Sequence, residues 1–215
     1  MRRGRLFLSV LSFFCLASFA FAQDTVFVTC WTGKNSDVCR GTKVKGAVVS
    51  SATGEHAYVT VAARANGGSC SNVTQLYVTG QAGEFRKVFE AQPTKTDDGN
   101  GMRLIGWNRP GGKLLAELGR WPYGSDVGMA RELIVYDAKS TKVSHVDVEA
   151  ALSKYFSQDC AFEFETKAWH EPDGAVVAVR EYKDFLDETL KSCVQQPTNL
   201  IVELSSGAVR PMPSR

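Results

Sequence analysis

The sequence predicts an all-β fold that consists of three four-stranded antiparallel sheets. A pattern of apolar strand, glycine turn and apolar strand occurs three times, in units that span about residues 48–90, 105–147 and 167–211. A further apolar strand follows the turn glycine after 22, 21 and 26 residues in the three units, and another turn and strand come after it. One unit cannot bury its apolar faces alone, so we expect the three sheets to stack on one another.

The turn glycines of the three units are Gly54, Gly112 and Gly174, which are 58 and 62 residues apart. Glycine can adopt the positive φ that a tight hairpin turn requires, and the alternating apolar residues beside it place one face of each strand inward. Each glycine and its two flanking strands are therefore predicted to form a hairpin.

The strand after the turn in the second unit, residues 113–118, consists of good helix formers. Its counterparts in the other two units, residues 57–61 and 175–179, are rich in residues that favour strands. Because the three segments hold the same position in the repeat, we expect residues 113–118 to form a strand as well.

The connections between the units are predicted to contain one or two short helices. Asp147 is expected to cap a helix, because five apolar residues that follow it share one helical face. These residues are Val148, Ala151, Leu152, Tyr155 and Phe156. A second helical turn is expected within residues 184–192, and residues 95–101, rich in Asp and Gly, are expected to form a loop. A strand at residues 25–29 is expected to lie beside the third unit.

The turn at residues 169–174, with the sequence Trp-His-Glu-Pro-Asp-Gly, resembles the aromatic-x-x-Pro-Asp-Gly turn of TolB-like β-propeller repeats. Residues 107–112 resemble it more loosely, and residues 133–137 resemble the apolar strand ending in Asp that follows in those repeats. The resemblance implies blade-like sheets and, commonly, an extracytoplasmic role in binding, as in other TolB-like or WD40-like repeat proteins. Since closed propellers use four to eight blades, three sheets predict an open or incomplete propeller-like stack.

The first 22 residues have the three parts of a secretory signal peptide. Three arginines come first, an apolar stretch covers residues 6–17, and small residues stand at Ala20 and Ala22. This order predicts export and cleavage after Ala22, whereas a membrane anchor would need a longer apolar run of about 20 residues. The mature chain, residues 23–215, is therefore expected to be a single propeller-like domain that is periplasmic or secreted and is not inserted in a membrane.

The charge of the mature chain gives no reason to expect a nucleic-acid partner. Removal of the leader and its three arginines leaves 22 basic and 23 acidic residues, and no dense basic run is present. Because binding to nucleic acid or to an anionic membrane surface depends on clustered positive charge, neither is an expected partner.

The five cysteines of the mature chain are expected to form disulfides after export. Spacing alone does not fix the pairing, and the odd number leaves at least one cysteine free or paired between chains. We favour a local bridge between Cys30 and Cys39 and a longer one between Cys160 and Cys193, which leaves Cys70 over. The sequence has no C-x-x-C pair and its three histidines are scattered, so we expect no metal site and no cofactor.

Three residues that follow the second hairpin are the strongest candidates for a binding surface. Arg120, Trp121 and Tyr123 lie in the segment 119–126, which is expected to be a loop that leaves a strand. These residue types dominate the energetic centres of protein interfaces. The alternative is that Trp121 and Tyr123 fold back over the edge of a sheet. Two other tryptophans, Trp107 and Trp169, hold equivalent positions in the repeat and are expected to pack between sheets.

The sequence contains none of the short motifs that mark common enzymes. We therefore expect an exported, non-catalytic β-repeat module that binds a protein or a ligand, with a protein partner or a homodimer held through loops or open sheet edges. The alternative is an extracytoplasmic enzyme or small-ligand receptor whose polar residues converge only in three dimensions. A deep pocket lined by His56 and His170, which the sequence places in turns, would support that alternative.

Overall fold

The structure is a computed structural model that describes eight segments of the chain. The described segments are residues 24–28, 43–66, 69–79, 83–95, 98–123, 129–157, 160–182 and 191–213. The predicted signal peptide, the predicted bridge between Cys30 and Cys39 and most of the helical turn expected at residues 184–192 lie outside these segments. Cys70 lies in a described strand, but its side chain is outside what the structure describes.

The described residues form three antiparallel sheets and one helix, which confirms the predicted all-β, open propeller-like class. The first sheet has five strands, one more than the repeat predicts. They are β1 (Lys43–Lys45), β2 (Val49–Ser50), β3 (His56–Asn66), β4 (Ser69–Thr79) and β5 (Phe85–Ala91). The second contains β6 (Asp98–Trp107), β7 (Lys113–Pro122), β8 (Ala130–Asp137) and β9 (Lys142–Val146). The helix α1 (Val148–Phe156) leads to the third sheet, which contains β10 (Phe162–His170), β11 (Gly174–Glu181), β12 (Thr198–Glu203) and β13 (Val209–Pro211).

In the second and third sheets each strand pairs with the next one along the chain. In the first sheet β1 and β2 both pair with β3, and β4 and β5 follow. The segment at residues 113–118 belongs to β7 and pairs with β8 over its whole length, as its place in the repeat predicts. Pairing along both edges of β7 therefore overrides its helix propensity.

The second sheet begins earlier than the repeat predicts, and the loop expected at residues 95–101 is wrong in part. Residues 98–101 form the first part of β6 and pair with β7 from Asp98 opposite Pro122 to Gly101 opposite Gly119. The glycines that read as a loop have a packing role instead. A Cβ atom on Gly99 would lie 2.4 Å from Trp121 Nε1, so only glycine leaves room for the indole there.

The turn glycines behave differently in the three hairpins. Gly54 has a φ of 95°, as the hairpin pattern predicts. In the second unit the positive φ of 81° belongs to Gly111 rather than Gly112. Gly174 is the first residue of β11, and a Cβ there would lie 3.0 Å from Ile201 Cγ2. The prediction of a positive φ is therefore wrong at Gly112 and Gly174, and close packing explains the glycine at the latter.

The second sheet is buried on both faces. Leu114, Ala116 and Leu118 of β7 belong to an apolar core shared with the first sheet, whereas Leu115 belongs to a core shared with the third sheet. Strand β8 alternates in the same way, because Ile134 and Tyr136 face the first core and Leu133 and Val135 the second. A strand with two covered faces reads as a continuous apolar run, as this one does.

A tryptophan in each of the later two sheets is hydrogen-bonded to the sheet before it. Trp107 Nε1 donates to Val49 O at 3.3 Å, and Trp169 Nε1 donates to Gly106 O at 2.6 Å. The two acceptors hold the same position, since each pairs with the third residue after its turn glycine. This confirms the predicted packing of both tryptophans between sheets. Both tryptophans stand five residues before their turn glycines, and the first unit has Val49 at that place.

The helix between the second and third sheets begins as the sequence predicts. Asp147 is the N-cap, and its Oδ1 accepts a hydrogen bond from Ala150 N at 2.9 Å. Val148 and Leu152 are fully buried in the second core, whereas Tyr155 is 39% exposed. Ala151 and Phe156 also pack against this core, so the predicted apolar face is confirmed except at Tyr155.

The N-terminal segment pairs with the second sheet, so the expectation that it lies beside the third unit is wrong. Val26 N donates to Met102 O at 2.9 Å, and Met102 N donates to Val26 O at 3.2 Å. Two glycines make room for the segment, because a Cβ on Gly46 or on Gly101 would lie 2.5 Å or 2.7 Å from atoms of Val26.

Cys160 and Cys193 form a disulfide, which confirms the favoured pairing. The bridge connects the segment before β10 to the segment before β12, and backbone hydrogen bonds accompany it. Ala161 N donates to Lys191 O at 2.9 Å, and Cys193 N donates to Ala161 O at 2.8 Å. The bridge and these bonds hold the outer part of the third sheet to its first strand.

Removal of the disulfide by the double substitution Cys160→Ser and Cys193→Ser is expected to lower the free energy of unfolding by about 3 to 4 kcal/mol. The bridge spans a sequence separation of 33 residues, and this is the magnitude expected when a closed loop of about that length is opened in the unfolded chain. Urea denaturation followed by circular dichroism measures the change, with the single substitution Ser144→Ala at an exposed position of β9 as the control. An unchanged midpoint, or a peptide map that links Cys160 to Cys30, would contradict the assignment.

Candidate functional site

The three residues that the sequence singles out for binding are placed at the end of β7. Arg120 and Trp121 lie within the strand rather than in a loop, and Tyr123 follows it directly. Residues 124–128 of the same segment lie outside the described part. The strand extends this far because Trp121 pairs with Gly99 and Arg120 with Asn100 of β6.

Trp121 and Tyr123 fold back over the sheet, as in the alternative that the sequence left open. The indole lies over Gly99 and packs edge-on against the rings of Phe27 and Tyr123, with centroid separations of 6.3 Å and 6.1 Å. The Tyr123 hydroxyl lies 2.9 Å from both Val28 O and Asn72 Oδ1. Both rings therefore take part in the contact of the N-terminal segment with the first two sheets.

The Asn72 side chain that contacts Tyr123 joins the first sheet to the second. Asn100 N donates to Asn72 Oδ1 and Asn100 Nδ2 to Asn72 O, each at 2.9 Å, and Asn72 Nδ2 donates in turn to Asn100 O. Both side chains are fully buried. Because buried amides are costly unless they are hydrogen-bonded, this reciprocal pair fixes the relative position of β4 and β6.

Arg120 is also held by neighbouring strands. Its Nε lies 3.4 Å from Glu132 Oε1, and its Nη1 donates to Gln92 O at 3.0 Å. Glu132 accepts a second contact from His145 Nδ1 at 3.0 Å. The guanidinium thus connects the end of the first sheet to β8. A role of Arg120, Trp121 and Tyr123 in binding a partner stays a prediction.

A cavity of about 460 Å³ lies where the second and third sheets meet. Three arginines from three different strands line it, namely Arg103 of β6, Arg131 of β8 and Arg180 of β11. We name this space the Arg103 cavity, after its most buried charged residue. The cavity is within the size range of small-molecule sites.

The Arg103 cavity is built on a buried ion pair. Arg103 is 9% exposed and Glu117 is 3% exposed. Arg103 Nη2 lies 3.1 Å from Glu117 Oε1 and donates to Thr166 O at 2.8 Å. Glu117 Oε1 also accepts from Arg131 Nη1 at 3.0 Å, and its Oε2 accepts from Thr166 N at 3.1 Å. The carboxylate of the second sheet is therefore hydrogen-bonded to both its own sheet and the third.

A second carboxylate continues the ion pairs toward the surface. Glu165 accepts from Arg103 Nη1 at 3.1 Å, from Arg180 Nη2 at 2.8 Å and from Lys167 Nζ at 2.5 Å. Burial raises the pKa of Glu165, but the hydrogen bonds from Lys167 and Arg103 lower it, and the pKa lies below its usual value. Glu165 is therefore an anion at neutral pH.

Two polar atoms beside these ion pairs have no hydrogen-bond partner. They are Arg103 Nε and Thr166 Oγ1, and both are buried. Four cationic side chains, those of Arg103, Arg131, Lys167 and Arg180, share the two carboxylates of Glu117 and Glu165. Hydrogen-bond donors are thus in excess over acceptors in this connected group.

One feature of the sequence indicates this site, although it is not part of the pattern of strands and turns. Arg103 is the one charged residue between Gly99 and Trp107, and Glu117 is the one between Leu114 and Gly119. The two stand directly opposite each other in the register of β6 and β7. Charged residues are almost never fully buried unless they are paired. Two opposite charges in neighbouring buried strands therefore indicate an internal ion pair, although not the cavity beside it.

The histidines that would support an enzyme do not come together. His56 lies in the first sheet, where its Nδ1 is 2.7 Å from Ser50 Oγ, and His170 lies in the third sheet beside a cavity of about 150 Å³. Among the residues that the structure describes, no group of three or more His, Cys, Asp and Glu is arranged to hold a metal ion. The same described segments contain no helix that is long and apolar enough to cross a membrane.

The chain matches no protein-family model, and a search of curated proteins finds no relative. What the structure establishes is a stack of three antiparallel sheets that is compatible with blade-like repeats.

Substitution of Trp121 by Ala is expected to lower the free energy of unfolding by about 2 to 3 kcal/mol. The half-buried indole fills the space above Gly99 and contacts Phe27 and Tyr123, and its removal leaves that space empty. Tyr155→Ala is the control, because Tyr155 is an aromatic residue that is 39% exposed. Equal urea midpoints for the two variants would show that Trp121 has no structural role.

Substitution of Glu117 by Ala is expected to cost about 3 to 5 kcal/mol of stability, since it leaves Arg103 buried without its main counter-ion. Glu132→Ala breaks a more exposed ion pair with Arg120 and is expected to cost less than about 1 kcal/mol. Thermal and urea denaturation compare the two variants. A loss for Glu117→Ala no larger than that of the control would mean that the buried pair does not stabilise the fold.

Proposed function

We propose that this protein is an exported, non-catalytic β-repeat module that binds a ligand or a protein outside the cytoplasm. The observation that carries the proposal is the Arg103 cavity, where guanidinium groups in excess of their acceptors line a space of about 460 Å³. Ion pairs to Glu117 and Glu165 hold these groups on strands of two packed sheets. A site that is fixed in this way before binding loses little conformational entropy when a ligand enters.

Two features support an extracytoplasmic location. The first 22 residues have the order of a secretory signal peptide. Cys160 and Cys193 form a disulfide, and such bonds persist in oxidising compartments such as the periplasm and the extracellular space. Both features favour a periplasmic or secreted protein.

The chemistry of the cavity supports binding rather than catalysis. Arginine side chains stay protonated at neutral pH and cannot act as general bases. Glu165 is held as an anion by Lys167 and Arg103, so it is a poor proton donor at neutral pH. Fixed cations and a fixed anion are suited to recognising charge on a ligand.

Membership of the TolB-like or WD40-like β-propeller repeats is part of the proposal. The turn at residues 169–174 resembles the turn of those repeats, and the equivalent tryptophans Trp107 and Trp169 both donate a hydrogen bond to the preceding sheet. A contact that recurs between successive units is typical of repeat proteins, in which each unit contacts its neighbours.

The proposed function is tested by affinity capture from an extract of the host cell envelope. The wild-type protein is compared with the double variant Arg131→Gln, Arg180→Gln and with the control Arg210→Gln in β13. The Arg210 side chain is 46% exposed, which lies between the 30% of Arg131 and the 51% of Arg180. We expect a partner or ligand that wild type and control retain equally and that the double variant loses by about tenfold or more. Equal recovery by all three proteins would contradict binding at the Arg103 cavity.

A further inference from the structure

The arginines of the Arg103 cavity have donors to spare for a ligand. Arg131 uses Nη1 to bind Glu117, and Arg180 uses Nη2 to bind Glu165, while their side chains are 30% and 51% exposed. Arg103 behind them is buried, and its Nε has no acceptor. A guanidinium offers five N–H donors and no acceptor. A ligand that uses these donors therefore has to bring acceptor atoms such as oxygens.

The charge around the cavity limits how negative the ligand is. The connected ion pairs contain four cations and two carboxylates, which leaves an excess of two positive charges. Glu149 and Glu163 also line the cavity and bring two negative charges to its wall. These two carboxylates repel a phosphate dianion more strongly than a monoanion, whereas a single carboxylate placed between Arg131 and Arg180 gains charge-assisted hydrogen bonds.

Part of the cavity wall is apolar. Phe162 and Phe164 of β10 line it, and their ring centroids are 6.3 Å apart. Met129, which is 39% exposed, lies on the same cavity. Two neighbouring aromatic rings and a flexible thioether favour contact with an apolar or aromatic group. The cavity thus offers cationic donors and an apolar surface to one ligand.

We propose that the Arg103 cavity binds a small organic monocarboxylate with an apolar, preferably aromatic, body. The carboxylate lies at Arg131 and Arg180, and the body lies against Phe162 and Phe164. This inference rests on the proposed binding function and adds the class of ligand. Binding forms only hydrogen bonds, ion pairs and apolar contacts, and no covalent bond changes.

Three probes test separately how the carboxylate and the aromatic body of the proposed ligand contribute to binding. 3-Phenylpropionate carries both the carboxylate and the aromatic body, 3-phenylpropanol carries the body without the charge, and inorganic phosphate carries the charge without the body. Titration calorimetry at pH 7 and changes in the backbone amide NMR signals of β8, β10 and β11 measure binding of each. We expect saturable binding of 3-phenylpropionate, and affinities at least about tenfold lower for the other two probes.

Two arginine variants test where the carboxylate of the ligand binds. Arg131→Gln and Arg180→Gln are each expected to weaken 3-phenylpropionate about tenfold, because each removes one charge-assisted hydrogen bond. Arg210→Gln is the matched control and is expected to bind as wild type does. The buried Arg103 is left unchanged, so that loss of binding does not reflect unfolding, and circular dichroism spectra confirm that every variant is folded.

Several outcomes would overturn the inference. The first is that wild type shows no saturable binding of 3-phenylpropionate up to about 10 mM. The second is that 3-phenylpropanol or phosphate binds as tightly as 3-phenylpropionate does. The third is that the two arginine variants bind 3-phenylpropionate with the affinity of wild type. If 3-phenylpropionate fails while envelope capture still depends on Arg131 and Arg180, the ligand class is wrong and the proposed function stands. If the capture is the same for all variants and 3-phenylpropionate does not bind, both are wrong.

Discussion

The burial of both faces of the middle sheet is the constraint on which the rest of the structure depends. Alternate residues of β7 and β8 enter opposite apolar cores, so neither core exists without the second sheet. The first and third sheets each have one such covered face and depend on the middle sheet to cover it. The fold is therefore cooperative across all three units, although each unit repeats the same order of strands.

The buried charges of the middle sheet also have to lie on the correct one of its two buried faces. Arg103 and Glu117 stand opposite each other on β6 and β7, and both lie on the face that meets the third sheet. A shift of either strand by one residue would turn its charged side chain into the opposite core, where these partners are missing. Since burying an ion pair costs solvation energy that its hydrogen bonds must offset, the pair favours a single register.

Much of the fold follows from patterns that are local in the sequence. The three hairpin units depend on apolar alternation, and the Asp147 cap depends on its helix alone. The disulfide between Cys160 and Cys193 could be favoured because each cysteine follows a predicted helical segment. Other features depend on contacts between distant residues. Gly99 is typical of a loop in the sequence, and its packing role is visible only once the indole of Trp121 lies over it. The residue type of Trp121 also does not distinguish a role in binding from a role in packing.

The Arg103 cavity could not be predicted from the sequence. Its arginines come from β6, β8 and β11, and no spacing along the chain brings those strands together. The opposite charges of Arg103 and Glu117 are visible in the sequence, but the space beside them exists only because the second and third sheets meet there. An internal pair can be inferred from residue types, whereas the shape of a void depends on how two sheets pack.

The two ends of the stack differ because the first unit has no tryptophan at the repeat position of Trp107 and Trp169. In each later unit this indole donates a hydrogen bond to a backbone carbonyl of the preceding unit, whereas the first unit has Val49 at that place. A unit added before the first would lack this connection, whereas a copy of the third unit added at the other end would bring its own tryptophan. The recurring indole contact therefore joins each later unit to the one before it.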